Sequence, residues 1–312
     1  MRLEERVTQA EHARLLPPGL DLAALLGLVE RDAAENRETI GMQACGLDRL
    51  GMRGGVPTRR VKDGAIDAGG IGAVLREIKP LLHLDAVTVT GETLGERLAA
   101  EEGAYVDRRV IKTAADPIEP QGGIVALFGS LAPDGAILKR SAATSSLFEK
   151  TARAVVFTSL EDMAARVDDP ALDVTADDIV VLQNAGPRSA AAMPEAGFLP
   201  IPKKLLEAGV KDMVRISDAR MSGTAYGTIV LHVAPEAAIG GPLALVRNGD
   251  RIRLSVKERR LDLLVDEKEL AARKKAAAPA DSAPLRGYDK LFRETVLQAP
   301  DGCDFDFLRG VS

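Results

Sequence analysis

Short β-rich runs, separated by turn signals, occupy the sequence from about residue 104 to residue 256. Pro133-Asp134-Gly135 and Asn248-Gly249-Asp250 are two of these turn signals. Many short strands with only a few helices between them predict a barrel or a pair of packed sheets. The predicted strands cover residues 110–112, 123–128, 136–139, 153–157, 178–182, 212–217, 228–233, 244–246 and 251–256.

Helical patterns precede and interrupt these strands, so the predicted fold class is α+β rather than all-β. Pro80 is expected to end a helix over residues 71–82. Thr93 and Glu96 stand at the spacing of a capping box, which predicts the start of another helix. Further helices are predicted over 20–34, 159–167, 202–208 and from 267 onward, with a short strand over 85–90 and a loop over 41–57.

The composition excludes several classes of protein. Of 312 residues, 46% are hydrophobic and 28% are charged, which is typical of a globular chain with a sizeable core. A net charge of −5 and the absence of Trp argue against a nucleic-acid partner. No apolar run approaches the roughly 20 residues of a membrane span, and the first residues lack a signal-peptide stretch. We therefore expect a soluble, cytoplasmic protein.

The chain has two cysteines, Cys45 and Cys303. Two cysteines cannot form a disulfide framework. Nor can they alone hold an iron–sulfur cluster, because such clusters usually need four thiolates. No His or Cys cluster has the spacing of a zinc site either.

Small residues dominate the stretch from 184 to 242, so its backbone can approach a ligand closely. Ser222 follows a predicted strand. Its hydroxyl could face a pocket, although a serine at such a position is more commonly a turn or N-cap residue. It lacks the Gly-x-Ser-x-Gly frame of a nucleophile elbow. Glu195 follows Met-Pro, and its carboxylate is either a ligand for a hard cation or, more commonly, an ordinary surface group.

Three further polar residues in this stretch have alternative interpretations. Arg220 suits either a bidentate clamp on a substrate carboxylate or a surface pair with Asp218. His232 lies in an apolar run, where a satisfied core histidine is more common than a base. Glu236 follows Pro235 and fits an ordinary first helical turn.

Several long motifs span residues 68–308, and the most specific is Ser217-Asp-Ala-Arg-Met-Ser-Gly-Thr with the continuation Gly240-Gly-Pro-Leu-Ala-Leu-Val-Arg-Asn-Gly-Asp. The others are 70–85, 88–96, Asn184-Ala-Gly-Pro, Met193-Pro-Glu, Gly287-Tyr and Gly302-Cys-Asp-Phe-Asp-Phe. Together they resemble the dihydroxy-acid and sugar-acid dehydratases, a family that includes phosphogluconate dehydratase. The tail is similar to the branch that acts on aldonates.

The resemblance implies a hydro-lyase, which removes water from a 2,3-dihydroxy or sugar acid and gives a 2-keto acid through an enol. In that family an N-terminal α/β domain supplies three cysteines to a [2Fe–2S] cluster, and an Asp and a carbamylated Lys to Mg²⁺. The cluster acts as a Lewis acid on the departing hydroxyl. The C-terminal domain is a β-rich swivelling barrel like that of the aconitases.

By motif position, the resemblance assigns Glu195 to Mg²⁺ and Ser222 to removal of the C2 proton. It thereby reverses the more common interpretation of both residues. Arg220 and Thr224 become the expected substrate contacts. Because a serine hydroxyl is a poor base, a neighbouring metal centre has to stabilise its alkoxide.

The chain departs from the family before residue 60, where the cysteine, Asp and Lys motifs are missing. Ser189-Ala-Ala-Ala stands where the family has Gly-Ala-Pro-Gly. We expect a divergent segment (1–62), the end of the N-terminal α/β domain (63–103) and the C-terminal β-barrel domain (104–312). The expected protein is a truncated dehydratase that binds no cluster and is inactive alone.

Two other functions are open from the sequence. The chain could be a non-catalytic partner that forms a homo-oligomer, or pairs with a full-length paralogue, through apolar surface that the missing domain normally covers. It could also bind sugar acids without a metal, through Arg220 and residues 222–227. In both alternatives the binding surface, whether for another chain or for a sugar acid, lies on the predicted barrel.

Overall fold

The computed structural model describes residues 68–117, 120–193, 199–221, 226–276 and 286–308. The helix predicted over 20–34, the loop over 41–57 and Cys45 lie outside these residues. The chain forms two compact units, which adjoin in sequence between Ile124 and Val125. Within the described ranges, every helix is too short or too polar to cross a membrane.

The first unit contains two short helices. The helix predicted over 71–82 forms as α1 (Gly70–Glu77), which ends before Pro80, and Pro80 lies in a 3-10 turn that follows it. Helix α2 (Leu94–Ala100) begins with the predicted capping box. Thr93 Oγ1 accepts a hydrogen bond from Glu96 N at 3.2 Å, and Glu96 Oε2 accepts one from Thr93 N at 2.8 Å.

The strand predicted over 85–90 is wrong. Only a single β-bridge forms there, between Val87 and Thr93. Val89 is fully exposed. β-Branched residues favour a strand only where they have a neighbouring strand and a half-buried surface to pack on, and this segment has neither.

The strand predicted over 110–112 is also wrong. Val110 N and Ile111 N both donate to Asp107 O, which makes a turn. Ile111 is fully buried in the small core of this unit, with Ala73 among its neighbours. The apolar run therefore reflects burial within a loop rather than pairing in a sheet.

The second unit is built on one mixed sheet of eight strands in the order β1-β2-β6-β5-β4-β3-β7-β8. Strands β3 to β6 pair in parallel, whereas β2 pairs with β6, and β7 with β3 and β8, in antiparallel fashion. The strands are β1 (Ile124–Leu127), β2 (Gly135–Lys139), β3 (Glu149–Phe157), β4 (Ile179–Leu182), β5 (Arg215–Ser217), β6 (Ile229–Ala234), β7 (Arg251–Ser255) and β8 (Arg260–Leu263).

The sheet nearly closes on itself. Phe128, directly after β1, forms a parallel bridge with Arg260 of β8. Phe128 N donates to Arg259 O at 2.9 Å, and Leu261 N donates to Phe128 O at 2.9 Å. The structure therefore confirms an α+β fold with a barrel-like sheet.

Two strand predictions near the end of the sheet differ from the structure. The predicted strand over 244–246 is wrong, because Pro242–Leu245 forms a 3-10 turn that Pro242 starts. Strand β8 was not predicted. Its sequence Arg-Leu-Asp-Leu is short and carries two charged residues, so its strand pattern is weak on its own.

The parallel strands are buried on both faces, as such strands usually are. One face of all eight strands encloses the larger core. The opposite face of the parallel strands packs against helices α3 (Leu160–Arg166) and α4 (Lys203–Glu207), which confirms the two predicted helices. Ser159 caps α3, because its Oγ accepts a hydrogen bond from Asp162 N at 3.2 Å.

Two more helices follow the sheet, α5 (Glu267–Ala276) and α6 (Gly287–Thr295). Arg273 of α5 donates to Leu245 O at 2.9 Å and to Asp250 Oδ1 at 3.0 Å. After α6, Val296 is fully buried. The tail thus packs on the barrel unit, as its apolar residues predicted.

Candidate functional site

Three loops leave the sheet at the carboxyl ends of neighbouring parallel strands. Strands β4, β5 and β6 end at Leu182, Ser217 and Ala234, and they pair in parallel. In α/β sheets, ligands bind outside the carboxyl ends of the parallel strands. This edge of the barrel is therefore the candidate functional site.

Asp218, the first residue after β5, is buried, with 1% of its surface exposed. Its Oδ1 accepts a hydrogen bond from Ala185 N at 2.9 Å, and its Oδ2 accepts one from Ala237 N at 2.8 Å. One carboxylate thus connects the loops that follow β4, β5 and β6. Burial, with a smaller effect from nearby Glu236, raises the pKa of Asp218 to about 6 although the backbone donors oppose the shift.

Glu236 is a second buried carboxylate, with no exposed surface. Its Oε1 and Oε2 lie 2.9 and 3.0 Å from Arg188 N, which donates to them, and Gln298 Nε2 donates to Oε1 at 2.6 Å. Burial raises the pKa of Glu236, and these hydrogen bonds oppose the shift. The predicted helical turn forms here, as a 3-10 turn over Ala237–Ile239 with Glu236 as its N-cap. The sequence did not predict that the Glu236 carboxylate is held by Gln298, a tail residue far away in sequence.

Gly186 leaves the space that Glu236 fills. A Cβ atom at position 186 would lie 2.2 Å from Glu236 Oε2 and 2.6 Å from Glu236 Cβ. Ser189 is buried, and its Oγ donates to Gly186 O at 2.7 Å. Ser189, where the chain departs from the dehydratase pattern, therefore stabilises a tight turn beside Glu236.

The tail also contacts the loop after β4 through Arg188 and Cys303. Arg188 Nε donates to Val296 O at 3.0 Å, and Cys303 Sγ lies 3.3 Å from Met193 Sδ. Burial, helped by the charge of Glu236, raises the pKa of Cys303 to about 11. In the free chain, its thiol is therefore protonated at neutral pH.

Arg215, at the start of β5, is buried beside Asp212, and their side chains are 5% and 6% exposed. Its Nη1 donates to Leu199 O at 2.7 Å. Its Nη2 donates to Tyr226 O at 3.2 Å and to Asp212 Oδ1 at 3.1 Å, and its Nε donates to Met213 O at 3.2 Å. Burial lowers the pKa of Arg215, whereas Asp212 opposes the shift.

His232 lies in β6 and holds the loop after β5. Its Nε2 accepts a hydrogen bond from Met221 N at 2.8 Å, and its N donates to Ala219 O at 2.9 Å. Burial, with a smaller effect from Arg220, lowers the pKa of His232 to about 4. The ring is therefore neutral at physiological pH, which confirms the prediction of a satisfied core histidine.

Of the predicted site residues, Arg220 is the one that lies within the described ranges. It is exposed, two residues after the buried Asp218. Because Asp218 is not at the surface, the alternative of a surface pair between these two residues is wrong. Glu195, Ser222 and Thr224 lie outside the described residues, so their roles stay predictions.

The sequence patterns did not predict that Asp218, Glu236 and Gln298 form one cluster. Asp218 directly follows a buried strand, which is a usable signal, and Glu236 follows Pro235 at the end of another strand. Gln298 lies 62 residues beyond Glu236 and has no local pattern that predicts the contact.

The described part of the chain holds no group of three or more His, Cys, Asp and Glu side chains placed to bind a metal ion. Asp218 and Glu236 already accept hydrogen bonds from protein donors. Cys303 lies against Met193 with a raised pKa. These residues do not fit a [2Fe–2S] cluster or a complete Mg²⁺ site.

We expect the stability of the unchanged chain, relative to an Asp218→Asn variant, to fall as the pH rises from about 4 to about 7. The folded pKa of Asp218, about 6, lies above its ordinary value of 3.8, so the folded protein holds the proton more tightly than the unfolded chain. The stabilisation is present at low pH and is lost as the pH rises through the folded pKa. This loss amounts to roughly 3 kcal/mol. Urea unfolding of both proteins across this range measures it, and parallel stability curves would contradict the assignment.

A family model described as dihydroxy-acid/6-phosphogluconate dehydratase C-terminal matches residues 109–303. Residues on both sides of the candidate site, from the loop after β4 to Cys303, fall within this match. The matched region therefore contains the whole carboxyl edge of β4, β5 and β6.

Named relatives with high identity are dehydratases. The 6-deoxy-6-sulfo-D-gluconate dehydratase of Pseudomonas putida is 49% identical over 245 residues, which cover 78% of this chain and 42% of that protein. The L-arabonate dehydratase of Azospirillum brasilense is 49% identical over 252 residues, covering 78% and 43%. The dihydroxy-acid dehydratase of Oleidesulfovibrio alaskensis is 40% identical over 238 residues, covering 75% and 42%. The chain thus spans less than half the length of the relatives it matches.

Proposed function

The chain belongs to the dihydroxy-acid/6-phosphogluconate dehydratase C-terminal family, and on that premise we propose that it serves the removal of water from a sugar acid or other 2,3-dihydroxy acid to give a 2-keto acid. The observation that carries this proposal is the 49% identity to two relatives named as sugar-acid dehydratases. The identity to the dihydroxy-acid dehydratase is lower, at 40%. The proposal therefore favours a sugar acid as the small-molecule partner.

The proposed site residues are those that the family motifs assign. Ser222 is proposed to take the C2 proton, Glu195 to be one ligand of Mg²⁺, and Arg220 and Thr224 to contact the substrate. Supporting this assignment, Arg220 is exposed at the carboxyl end of β5, where a guanidinium can hold a carboxylate in bidentate fashion. The loops that contain Glu195 and Ser222 follow β4 and β5, which are neighbouring parallel strands.

Family members use Mg²⁺ and a [2Fe–2S] cluster, and the second of these does not fit this chain. The full sequence has two cysteines, fewer than the three that the family resemblance implies for the cluster. We propose that the 312 residues are a truncated form that binds no cluster and does not complete the reaction alone. We also propose that the barrel swivels as in the aconitases and that the segment before it is a remnant of an α/β domain. A cytoplasmic location is part of the same proposal.

We expect the isolated chain to show no turnover of L-arabinonate or D-gluconate, even after anaerobic reconstitution with iron and sulfide. The physical reason is that the described residues and the two cysteines supply no cluster site. Formation of 2-keto acid is measured together with protein-bound iron and sulfide, with a full-length L-arabonate dehydratase as positive control. Robust turnover would contradict the proposal of inactivity, and Ser222→Ala should then abolish that turnover without loss of fold.

Binding provides the positive test of the proposed function. We expect L-arabinonate with Mg²⁺ to raise the Tm of the unchanged chain, because a ligand that binds the folded state stabilises it. Arg220→Met should remove most of this rise. Arg251→Met is the matched control, since Arg251 is an exposed arginine at the start of β7, a strand that is not a neighbour of β5 in the sheet. A Tm that is unchanged by sugar acids at millimolar concentration would contradict the proposal.

A homo-oligomer, in which the chain acts as a non-catalytic partner, is the second proposal. The observation that favours it is a set of large apolar residues exposed on α6 and the tail, with Tyr288 at 91% and Phe307 at 58% exposure. Light scattering after size exclusion measures the mass. A clean monomer would count against an oligomer.

A further inference from the structure

A single buried side chain connects the ends of two loops that the proposed function requires. Arg215 Nη1 donates to Leu199 O at 2.7 Å, and Arg215 Nη2 donates to Tyr226 O at 3.2 Å. Leu199 comes four residues after Glu195, and Tyr226 comes four residues after Ser222. The same guanidinium therefore fixes the chain just beyond each of these two residues.

Asp212 extends this connection to the start of β6. Its Oδ1 accepts a hydrogen bond from Arg215 Nη2 at 3.1 Å and one from Thr228 N at 2.8 Å. Its Oδ2 accepts one from Thr228 Oγ1 at 2.8 Å. Gly227 fits against this pair, since a Cβ atom there would lie 2.1 Å from Arg215 Nη2. The backbone on both sides of Tyr226 is thus held by Arg215 and Asp212.

The other end of the loop that contains Ser222 is also fixed, by a different residue. Met221 N donates to His232 Nε2 at 2.8 Å, one residue before Ser222. His232 holds only this loop, whereas Arg215 contacts the residues that follow both loops. Arg215 is therefore the side chain that can set the two loops relative to each other.

Stability alone does not explain a charged residue at this position. A buried ion pair brings a desolvation penalty that often equals its attraction, so apolar residues of similar volume frequently stabilise a core as well. What the guanidinium supplies is a planar fork of donors with fixed directions. That fork matches two backbone carbonyls on different loops and the carboxylate of Asp212.

We propose that Arg215 is a positioning residue, which holds Leu199 O and Tyr226 O, the backbone groups that follow Glu195 and Ser222 by four residues each, at a fixed separation. This inference rests on the proposed function for the roles of Glu195 and Ser222. The connection between the loops rests on the hydrogen bonds alone. Arg215 itself contacts neither substrate nor metal in this proposal.

Lysine at position 215 tests the geometry while it keeps the charge. A lysine ammonium is a compact point charge, so it cannot donate to both carbonyls in the directions that the guanidinium uses. Arg215→Lys, and Arg215→Met as a second variant, are compared with Arg273→Lys and Arg273→Met. Arg273 is a matched control because it is a partly buried arginine that also donates to a carboxylate, Asp250, and to a backbone carbonyl, Leu245 O.

Hydrogen exchange on the full chain without ligand is the first readout. In Arg215→Lys, we expect the amides around Leu199 and those around Tyr226 to exchange about tenfold faster or more, while those of β3 and β4 keep their protection. Arg273→Lys should accelerate neither segment. Acceleration at one segment only, or equal acceleration in both lysine variants, would overturn the proposal. If Arg215→Lys fails to fold while Arg273→Lys folds, Arg215 is a core residue and the proposal is also overturned.

Binding of L-arabinonate in the presence of Mg²⁺ is the second readout, and a merely structural role would not change it selectively. We expect the apparent Kd to rise about tenfold or more in Arg215→Lys and to stay nearly unchanged in Arg273→Lys, at temperatures where both variants are folded. Equal affinity in the two variants would overturn the positioning role. If the unchanged chain does not bind the acid, the proposed function fails, and the exchange data still decide whether Arg215 connects the loops.

Discussion

Gly186→Ala is expected to destabilise the barrel unit strongly, because an added methyl group would collide with a buried side chain. The new Cβ atom would lie 2.2 Å from Glu236 Oε2 and 2.6 Å from Glu236 Cβ, distances that atoms do not tolerate. Glu236 cannot move aside, because Arg188 N and Gln298 Nε2 both hold its carboxylate and it has no exposed surface. We expect a loss of about 3 kcal/mol in the free energy of unfolding, measured by urea denaturation.

Gly209→Ala is the control for this variant. Gly209 has a φ of +89°, and no atom lies within 4 Å of the position a Cβ would take, so its substitution introduces backbone strain without a collision. Its expected cost is about 1 kcal/mol. Equal losses in the two variants would show that the close approach between Gly186 and Glu236 is not what makes glycine necessary.

Gln298→Glu is expected to release the tail at neutral pH and to leave it bound under mildly acidic conditions. Gln298 Nε2 donates to Glu236 Oε1 at 2.6 Å, so the substitution replaces a donor with a second carboxylate beside a buried one. Like charges at this distance raise the pKa of the pair, and one proton is then shared. Stability is retained while that proton is bound and is lost as the pH rises through the raised pKa, with an expected loss of about 2 kcal/mol.

Gln298→Ala separates this charge effect from the loss of a hydrogen bond. Alanine removes the donor without adding a charge, so its cost should rise with pH less than that of Gln298→Glu. Urea unfolding of both variants, and limited proteolysis of the tail, are measured from about pH 5 to about pH 8. A Gln298→Glu stability curve that runs parallel to that of Gln298→Ala would contradict the close contact with Glu236.

The sequence predicted those elements that are determined by residues close to them in the chain. The capping box of Thr93 and Glu96, the end of α1 before Pro80 and the cap of α3 at Ser159 are each settled within a few residues. Buried parallel strands such as β4 were found because their two-sided burial produces a continuous apolar run. The number and spacing of such runs predicted an α+β fold with either a barrel or a pair of packed sheets, and the family resemblance favoured the barrel.

Non-local packing decided the predictions that were wrong. The segment over 85–90 has β-branched residues but no neighbouring strand, whereas β8 has a weak pattern and two partners, β7 and Phe128. The site shows the same limit. Asp218 and Glu236 are recognisable as buried carboxylates only once the loops and the tail are in contact, and no local pattern connects Glu236 with Gln298. The assignments of Glu195, Ser222 and Thr224 rest on the family motifs and remain proposals.

The bridge between Phe128 and Arg260 has a consequence for how this unit can meet other chains. Strands at the edge of an open sheet present unpaired backbone groups on which a foreign strand can assemble, and this is a common route to amyloid-like aggregation and to recognition of extended peptides. Here the residue that follows β1 is hydrogen-bonded to β8, so the two ends of the sheet occupy each other. A strand that added to the sheet at this point would first have to displace the bridge between Phe128 and Arg260.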